Sequence, residues 1–350
     1  MTAGRRPLLQ LLPRVPSGIA GVAGSVLLVL AAIWLAVNAA ENPSNFVTVV
    51  LIGITNGSIY GLIALGYTLV YGVLELINFA HGDVFMLGGM LAATLAVSAL
   101  GLVADESLLV LLPAVLLMLV AAAAFCAAIN ASVELVAYRR LRGGPRLAPL
   151  ITAVGVSFIL QNLGLIWKGP VSVSLPDILP QGAAIEIGGV AYTWDKLIVL
   201  LVTVPVLLGL IALVQRTRQG KAMRATAQDM DAAAMLGVNV DRTISYTFAL
   251  AGALAGIAGV LFALYVTNIR FDTGFQLGLI AFTAAVLGGI GNLTGAVVGS
   301  LVIGLVQACN DGFTWLTPGS DWTQSIVFAI LILILVLRPE GLLGERETAR

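Results

Sequence analysis

Residues 107–137 read SLLVLLPAVLLMLVAAAAFCAAINASVELVA, and Glu134 is their only charged side chain. A helix needs about 20 mainly apolar residues to cross the roughly 30 Å hydrocarbon core of a bilayer. This stretch therefore predicts a transmembrane helix. The whole chain has the same character, because 59% of its 350 residues are hydrophobic, 10% are charged, and its mean hydropathy is +1.02. Soluble domains carry about 25% charged residues and disordered chains are poor in large apolar ones, so both classes are excluded.

Eight further apolar stretches surround this one. They cover 18–40, 46–74, 82–103, 148–167, 197–214, 244–267, 277–309 and 323–337. No long polar insertion separates them, which indicates a single membrane domain over residues 1–350. The sequence therefore predicts an all-α fold, a polytopic helical membrane bundle.

The first stretch, 18–40, follows Arg5, Arg6 and Arg14. Basic residues before an apolar run are also typical of a signal peptide, and Arg5-Arg6 is compatible with a twin-arginine signal. The apolar region of a signal peptide has only about 7–15 residues, however, whereas 18–40 has 23 residues without a charge. The length favours an uncleaved first helix.

The distribution of cations predicts the orientation. Fifteen of the 18 Lys and Arg residues fall within 5–14, 139–146, 216–242 and 338–350, and the other three are Lys168, Lys196 and Arg270. Cytoplasmic loops of membrane proteins carry an excess of Lys and Arg. We therefore expect both termini and the loop 215–243 in the cytoplasm, and 169–194 as an extracytoplasmic loop.

The stretch 277–309 is too long for one crossing. Its 33 residues would span about 50 Å as a straight helix, and a glycine-rich sequence, GGIGNLTG, occupies 288–295. We expect two short helices hinged there, either as a re-entrant hairpin or as two crossings. The prediction for the whole chain is about eight full crossings plus this broken pair.

Glycines four residues apart predict where helices pack closely. Small residues at this spacing let two backbones approach each other in a membrane. The pairs are Gly57 and Gly61, Gly252 and Gly256, and Gly295 and Gly299. Packing is the expected role of all three pairs.

The loop 215–243 contains a predicted amphipathic helix at 220–236. It is rich in alanine, a strong helix former, and Gly237 provides a typical C-terminal stop. An apolar stripe stands opposite a polar face that contains Lys221. The stripe consists of Met223, Ala227, Met230 and Ala234. Such a helix either lies on the membrane surface or binds a groove of another protein.

Five stretches of the sequence resemble a known family. Residues 231–237 (DAAAMLG) resemble the Glu-Ala-Ala-x-x-x-Gly loop of ABC importer permeases, with Asp231 in place of Glu. The stretches 57–67 (GSIYGLIALGY), 77–88 (INFAHGDVFMLG) and 287–296 (LGGIGNLTGA), with 337–342 (LRPEGL), resemble branched-chain amino-acid permeases of the LivH type. The resemblance covers most of the chain from about residue 46 onward.

This resemblance implies a function and partners. The chain would be the permease subunit of an importer in the cell inner membrane, working by ATP-driven alternating access on branched-chain or related amino acids. Its partners would be ATP-binding subunits, a second homologous permease and an extracytoplasmic solute-binding protein. The resemblance implies that the loop 215–243 contains a coupling helix, a helix that docks onto the ATP-binding subunit. It would bind that subunit through a set of small and apolar residues with one acid. These are Met223, Ala227, Met230, Asp231, Ala232, Ala233 and Gly237.

Two polar segments are candidates for the translocation path. Glycines at 57, 61, 66 and 72 provide places for 46–77 to break, which would leave Asn78, His81 and Asp83 at membrane depth. Ionisable groups there usually line a path or pair with each other. The alternative is a hydrogen-bonded cytoplasmic turn between two spans. Asn292 and Thr294 are the corresponding candidates in the second half, since interrupted helices in both halves are typical of transport sites.

The sequence argues against chemistry on this chain. No phosphate-binding loop of the form Gly-x-x-x-x-Gly-Lys-Ser/Thr is present, so ATP hydrolysis is expected on partner subunits. The single histidine, His81, disfavours a metal site and an intramembrane enzyme, and no cofactor is predicted. Two alternatives stay open: a urea or amide ABC permease, and an ion-coupled secondary transporter, which would need no ATPase-docking helix.

Overall fold

The computed structural model describes residues 19–104, 107–142, 145, 147–180, 182–187, 189–338 and 340–344. Arg5, Arg6, Arg14 and Arg146, on which the signal-peptide alternative and part of the orientation prediction depend, lie outside the described residues, as does 345–350. The predicted first helix is confirmed from Ile19 onward.

Helices form almost all of the described chain. They are α1 (Ile19–Glu41), α2 (Pro43–Leu74), α3 (His81–Thr94), α4 (Leu108–Val133), α5 (Leu147–Lys168), α6 (Trp194–Arg216), α7 (Arg218–Gln228), α8 (Met230–Met235), α9 (Val240–Val266), α10 (Thr273–Gly288), α11 (Leu293–Gly312) and α12 (Thr323–Leu337). Helix α3 continues as a π-helical turn at Leu95–Ala99, and α4 continues as a π-helical turn at Glu134–Tyr138 and a 3-10 turn at Arg139–Leu141. A further 3-10 turn at Ser320–Trp322 precedes α12.

Eight of the described helices are long and apolar enough to cross a membrane. Helix α10 and the segment Ser320–Val336, which contains α12, are apolar but shorter. The predicted polytopic helical bundle is confirmed, and the chain is a multi-pass membrane protein.

Four short strands lie at one end of the bundle, which we call the hairpin end. Strand β1 (Val173–Ser174) pairs antiparallel with β4 (Asn268–Ile269), and β2 (Ala183–Ile187) pairs antiparallel with β3 (Val190–Thr193). The opposite end carries α7 and α8, and we call it the α7–α8 end. The loop 169–194 therefore contains most of the strand structure in the described chain.

Helices α10 and α11 form an antiparallel pair joined at 289–292. A methyl group on Gly299 would overlap the Ala284 carbonyl oxygen, and Gly288 faces Gly295 in the same way. Helix α11 returns along α2, where Gly304 meets Gly57 and Gly312 meets Val49 near the start of α2. The predicted hinge is confirmed. Helix α10, with 16 residues, is shorter than the helices long enough to cross a membrane, whereas α11 is one of them.

The predicted glycine packing is also confirmed. Gly57 approaches the Leu301 backbone, Gly256 approaches the Ala122 carbonyl, and Gly252 approaches Cys126 on α4. No Cβ fits at these positions, because the neighbouring backbone already occupies the space. The close contacts hold α2 to α11 and α4 to α9.

The expected break of 46–77 is wrong. Helix α2 is continuous for 32 residues and ends at Glu75, whose backbone is left-handed with φ 53°. Its glycines are contact points instead, since Gly61 meets Ser300 and Gly66 meets His81. Membrane helices tolerate glycine where protein packs alongside, because the helical hydrogen bonds stay intact.

Candidate functional site

After α2 ends, the chain turns back into the bundle before α3 begins. His81 packs against Gly66, which lies eight residues before the last residue of α2, or about 12 Å along the helix. Asn78, His81 and Asp83 are buried, with exposures of 1%, 0% and 0%. The structure therefore combines features of both alternatives. Residues 75–80 form a turn, and the polar side chains in this turn and at the start of α3 lie deep in the protein.

Asn78 ties this turn to two other helices. Its Nδ2 donates to Asn130 Oδ1 on α4 at 3.3 Å, and the Tyr138 hydroxyl donates to its Oδ1 at 2.9 Å. Asn130 Nδ2 in turn donates to the Phe248 carbonyl of α9 at 2.7 Å. A buried amide with both ends bonded fixes the position of the turn.

His81 is held mainly by shape, and the Ile63 backbone carbonyl also interacts with its ring. Its ring stands edge-on to Tyr67, with 4.9 Å between centroids, and a methyl group on Gly66 would collide with the imidazole. Within the described part of the chain, neither ring nitrogen makes a hydrogen bond of ordinary geometry. Unsatisfied buried polar groups are rare in native proteins, so this one needs a physical reason.

Asp83, in the first turn of α3, faces α5. The Ser157 hydroxyl donates to Asp83 Oδ2 at 2.5 Å. The Gln161 amide, one turn further along α5, donates to Ser157 Oγ at 3.1 Å and acts on the same carboxylate. The other carboxylate oxygen, Oδ1, is buried and has no hydrogen-bond partner of ordinary geometry among the described residues.

Asn292 and Thr294 occupy a different environment. Asn292 Oδ1 accepts from Gly295 N at 3.0 Å as the N-cap of α11, and its Nδ2 donates to the Leu343 carbonyl at 2.8 Å. Thr294 is exposed. No hydrogen bond of the described residues joins either of them to Asn78, His81 or Asp83, so the structure does not bring the two predicted segments together.

Helix α10 reaches the first segment instead. Gly274 lies against Gly82. A Cβ added to Gly274 would lie only 2.9 Å from the Asp83 Cα, and Gly278 also contacts Gly82. The first turns of α3 and α10 therefore cross in backbone contact. Gly274 is not among the packing glycines predicted from the sequence, although its spacing of four from Gly278 is the same packing signal.

The start of α10 has no side-chain cap. Asp272 occupies the N-cap position, but its carboxylate accepts from Arg270 Nε at 2.6 Å and makes no capping bond. The hydrogen bond from Arg270 holds the pKa of Asp272 below its usual value. This carboxylate therefore stays ionised and engaged away from the N–H groups of the first turn.

The loop 215–243 contains two helices rather than one. The chain breaks at Asp229, whose extended backbone ends α7 and whose Oδ1 caps α8 through Ala232 N at 2.9 Å. The predicted continuous helix at 220–236 is wrong, because an aspartate side chain competes for backbone N–H groups and favours a cap. The stop at Gly237 is confirmed, with φ 85° and bonds from Gly237 N and Val238 N back to α8.

This break changes which residues of the segment are available to a partner. Met223 and Ala233 are buried at 3% and 2%, and Met230 packs partly against the bundle. Ala227 and Asp231 are exposed, and Ala232 is half-buried. The large exposed apolar side chains are Met235 and Leu236, at 83% and 84%, so the accessible surface lies at the end of α8.

A buried ionic cluster stands beside this segment. Glu134, fully buried at the end of α4, pairs with Arg139 and Arg142 and accepts from Ser245 on α9 at 2.6 Å. Arg142 also pairs with Asp241 in the first turn of α9 at 2.5 Å. The cluster joins α4 to the start of α9, as expected of a charge buried only with partners.

The described residues contain no group of three or more His, Cys, Asp or Glu side chains that could hold a metal ion. The arrangement positions hydrogen-bonding groups around the turn and the start of α3.

Comparisons with known proteins cover nearly the whole bundle. The family model described as "Branched-chain amino acid transport system / permease component" matches residues 49–336. The "High-affinity branched-chain amino acid transport system permease protein BraD" of Pseudomonas aeruginosa is 39% identical over 85% of this chain and 95% of that protein. LivH of Escherichia coli is 36% identical over 85% and 95%, and a probable LivH of Methanocaldococcus jannaschii is 28% identical over 81% and 88%. No solved structure gives a significant match.

Proposed function

Because the chain belongs to the family of branched-chain amino-acid transport permeases, we propose that it is the membrane-spanning permease subunit of an ABC importer for branched-chain or related amino acids. The relatives bear this function in their names and match over most of both chains. The chain itself catalyses no reaction in this proposal, and ATP hydrolysis takes place on partner subunits.

One observation carries the proposal: the exposed apolar end of α8. Met235 and Leu236 project from a short capped helix at the end of the bundle, next to a polar surface that includes Asp231 and Gln228. The last residue of α6 and the segment that follows it carry four cations, Arg216, Arg218, Lys221 and Arg224, so this segment is a poor candidate for burial in lipid. An apolar helix end in such a setting fits a groove on another protein. The ATP-binding subunit is the partner that we propose.

The orientation follows from the cation asymmetry. With both termini and the α7–α8 end in the cytoplasm, the hairpin end faces outward and receives the extracytoplasmic solute-binding protein. The location is then the cell inner membrane. A second homologous permease completes the importer, with two ATP-binding subunits below.

The proposed mechanism is alternating access driven through α8. Movement of α8 is passed to α9, because only 236–239 separate the two helices. Helix α9 holds Asn130 through the Phe248 carbonyl, and Asn130 holds Asn78. This contact chain connects the ATPase side with the turn before α3. It is a contiguous physical connection through packed and hydrogen-bonded groups.

The proposed translocation path includes the turn that carries Asn78, His81 and Asp83. Its support is their complete burial together with the unsatisfied atoms of His81 and Asp83. Asn292 and Thr294 stay predictions as path residues, and the capping bonds of Asn292 are the competing explanation.

A charge at the end of α8 tests the proposed function. Leu236→Asp should abolish most co-purification of the ATP-binding subunit and most leucine uptake, because burying an unpaired charge costs several kcal/mol. Gln228→Asp, an equally exposed position at the end of α7, is the matched control and should retain both. Full ATPase retention in Leu236→Asp would contradict docking through α8. Wild-type vesicles without uptake of leucine, isoleucine or valine would contradict the cargo.

A further inference from the structure

Three large apolar side chains are exposed together on the loop 313–322, which connects α11 to α12. Trp315, Leu316 and Trp322 have exposed fractions of 38%, 75% and 59%. A group of exposed apolar side chains marks a surface that contacts a protein or a membrane. The loop therefore needs an apolar environment that the bundle itself does not provide.

The loop 313–322 lies at the hairpin end. It follows Gly312, the last residue of α11, which packs on Val49 near the start of α2. Further along α2, the Thr55 hydroxyl is hydrogen bonded to the Tyr192 hydroxyl of β3 at 2.8 Å. The start of α2, the end of α11 and the strand β3 therefore share one end of the bundle.

Helix α1 fixes the backbone of this loop. Trp34 Nε1 donates to the Trp315 and Leu316 carbonyls at 3.1 and 3.2 Å, and Trp315 N donates to Asn38 Oδ1 at 3.3 Å. Phe313, the first residue of the loop, is buried and stands edge-on to Trp34, with 5.2 Å between ring centroids. The exposure of the side chains at 315 and 316 is thus built into the fold, because their backbone groups are bonded to α1.

Leu316 has a left-handed backbone conformation, with φ 50°. Residues other than glycine rarely adopt this region, and glycine would adopt it without strain. The sequence nevertheless has a large apolar side chain there. Strained residues of this kind cluster at functional sites, where the surrounding structure holds them. The conformation therefore points to a contact that the Leu316 side chain makes outside the chain.

Helix α12 is too short to cross the hydrocarbon core by itself. Its 15 residues span about 22 Å, against a core of roughly 30 Å. A short span is accommodated in part by its flanking residues. At one end α12 is followed directly by the exposed cation Arg338, and at the other it is preceded by Trp322. The missing length therefore falls at the Trp322 end, which places the loop 313–322 at the membrane boundary.

The tryptophans of the chain support this boundary, because all five lie near the hairpin end. Trp167 is the next-to-last residue of α5 and Trp194 is the first residue of α6, with β1, β2 and β3 between them. The other three are Trp34, Trp315 and Trp322. Tryptophan is enriched at membrane–water interfaces, because its ring has a large apolar body and a polar N–H group.

The loop also continues a surface that faces lipid. Helix α12 exposes Ile332 and Val336, and α1 exposes Ile33. Since the chain is a multi-pass membrane protein, lipid covers these side chains. The loop joins α12 directly and is bonded to α1, so its apolar side chains meet the same lipid at the edge of the bundle.

We propose that the loop 313–322 is a membrane anchor that inserts Trp315, Leu316 and Trp322 into the interfacial layer of the phospholipid leaflet at the hairpin end. Asp321 in the same loop is exposed, and a charge favours the headgroup layer over the hydrocarbon core. The inserted side chains therefore reach only the boundary between headgroups and acyl chains. This inference concerns lipid and does not depend on the cargo or on the ATP-binding partner.

The test places a nitroxide spin label at Leu316→Cys in the full chain, reconstituted in phosphatidylcholine vesicles. Oxygen, which concentrates in lipid, and a water-soluble nickel complex compete to relax the label. Glu186→Cys on the exposed face of β2 is the matched control in water, and Ile332→Cys on α12 is the reference in lipid. Cys126 and Cys309 are buried, so the wild type treated with the label is the blank.

We expect the ratio of oxygen to nickel collisions at position 316 to exceed that at 186 at least twofold and to stay below that at 332. A ratio at 316 equal to that at 186 would overturn the inference, because the loop would then stand in water. Shielding of 316 from both reagents would overturn it as well, since protein rather than lipid would cover the loop. The same holds if nickel is excluded only after a solute-binding protein is added.

Discussion

Two short breaks interrupt the helices of this bundle, 75–80 between α2 and α3 and 289–292 between α10 and α11, and their polar groups are satisfied in different ways. At the second break Asn292 caps α11, and Leu342 N and Leu343 N donate to the Leu287 and Gly288 carbonyls at 2.8 and 3.0 Å. At the first break Asn78 is bonded at both ends of its amide, but among the described residues His81 and Asp83 keep buried atoms without a hydrogen-bond partner of ordinary geometry.

This difference shows how a structural break differs from a candidate binding site. Helix ends need partners for their free backbone groups, and a short polar side chain next to glycine is the ordinary means of providing one. Such a residue need have no further role. A buried ionisable group with an open acceptor is unfavourable unless something else occupies it in another state. Only the first break has that property.

The largest effect is expected from closing the space around His81. In Gly66→Ala the new methyl group would collide with the imidazole, and overpacking of this kind costs about 1–3 kcal/mol. Displacing His81 should lower leucine uptake more than tenfold and lower the thermal midpoint of the purified protein. Transport assays and thermal unfolding in detergent measure the two effects.

Gly155→Ala on α5 is the control for that variant, because a Cβ at Gly155 meets nothing within 4 Å. It should behave as the wild type or be slightly more stable, since alanine is the better helix former. Equal uptake and equal thermal midpoints in both variants would show that His81 is loosely packed. The first break would then tolerate substitution as the second does.

A smaller effect is expected at Asn78. Asn78→Ala removes the partner of Tyr138 and of Asn130, and leaving a buried polar group unsatisfied costs about 1–3 kcal/mol. We expect uptake to fall several-fold with part of the protein still assembled. Tyr138→Phe removes only one of these bonds and should show the milder defect of the two. Unchanged uptake in Asn78→Ala would show that transport does not depend on the contact chain from α9 to the turn.

The broad architecture follows from the sequence because lipid imposes simple rules. The spans, the hinge at 288–295 and the glycine contacts all depend on length, hydropathy and residue size, which are properties of the residues themselves. The stop at Gly237 depends on one backbone conformation that glycine adopts easily. These predictions are confirmed.

The predictions that were wrong or missing have a different cause from those that were confirmed. Whether Gly66 breaks α2 or receives His81 depends on a neighbour that is distant in sequence, and nothing local distinguishes the two cases. The same applies to Ser157 and Gly274, which meet Asp83 only through packing of α5 and α10. At 229 a local signal was present, since Asp before Met230-Asp231-Ala232 is a typical N-cap, and the alanine-rich pattern outweighed it.

The smallest effect, and the sharpest test of the comparison, is expected at Asn292. Asn292→Ala removes the cap of α11 and the bond to the Leu343 carbonyl. Losing an N-cap side chain costs about 0.5–2 kcal/mol, so the thermal midpoint should fall by a few degrees while uptake per assembled importer changes less than twofold. Asn292→Ser keeps a capping oxygen and should recover most of the stability. If Asn292→Ala instead lowers uptake fivefold or more at unchanged stability, Asn292 belongs to the translocation path as the sequence predicts. The two breaks would then be equivalent parts of one route, and burial with unsatisfied atoms would no longer distinguish them.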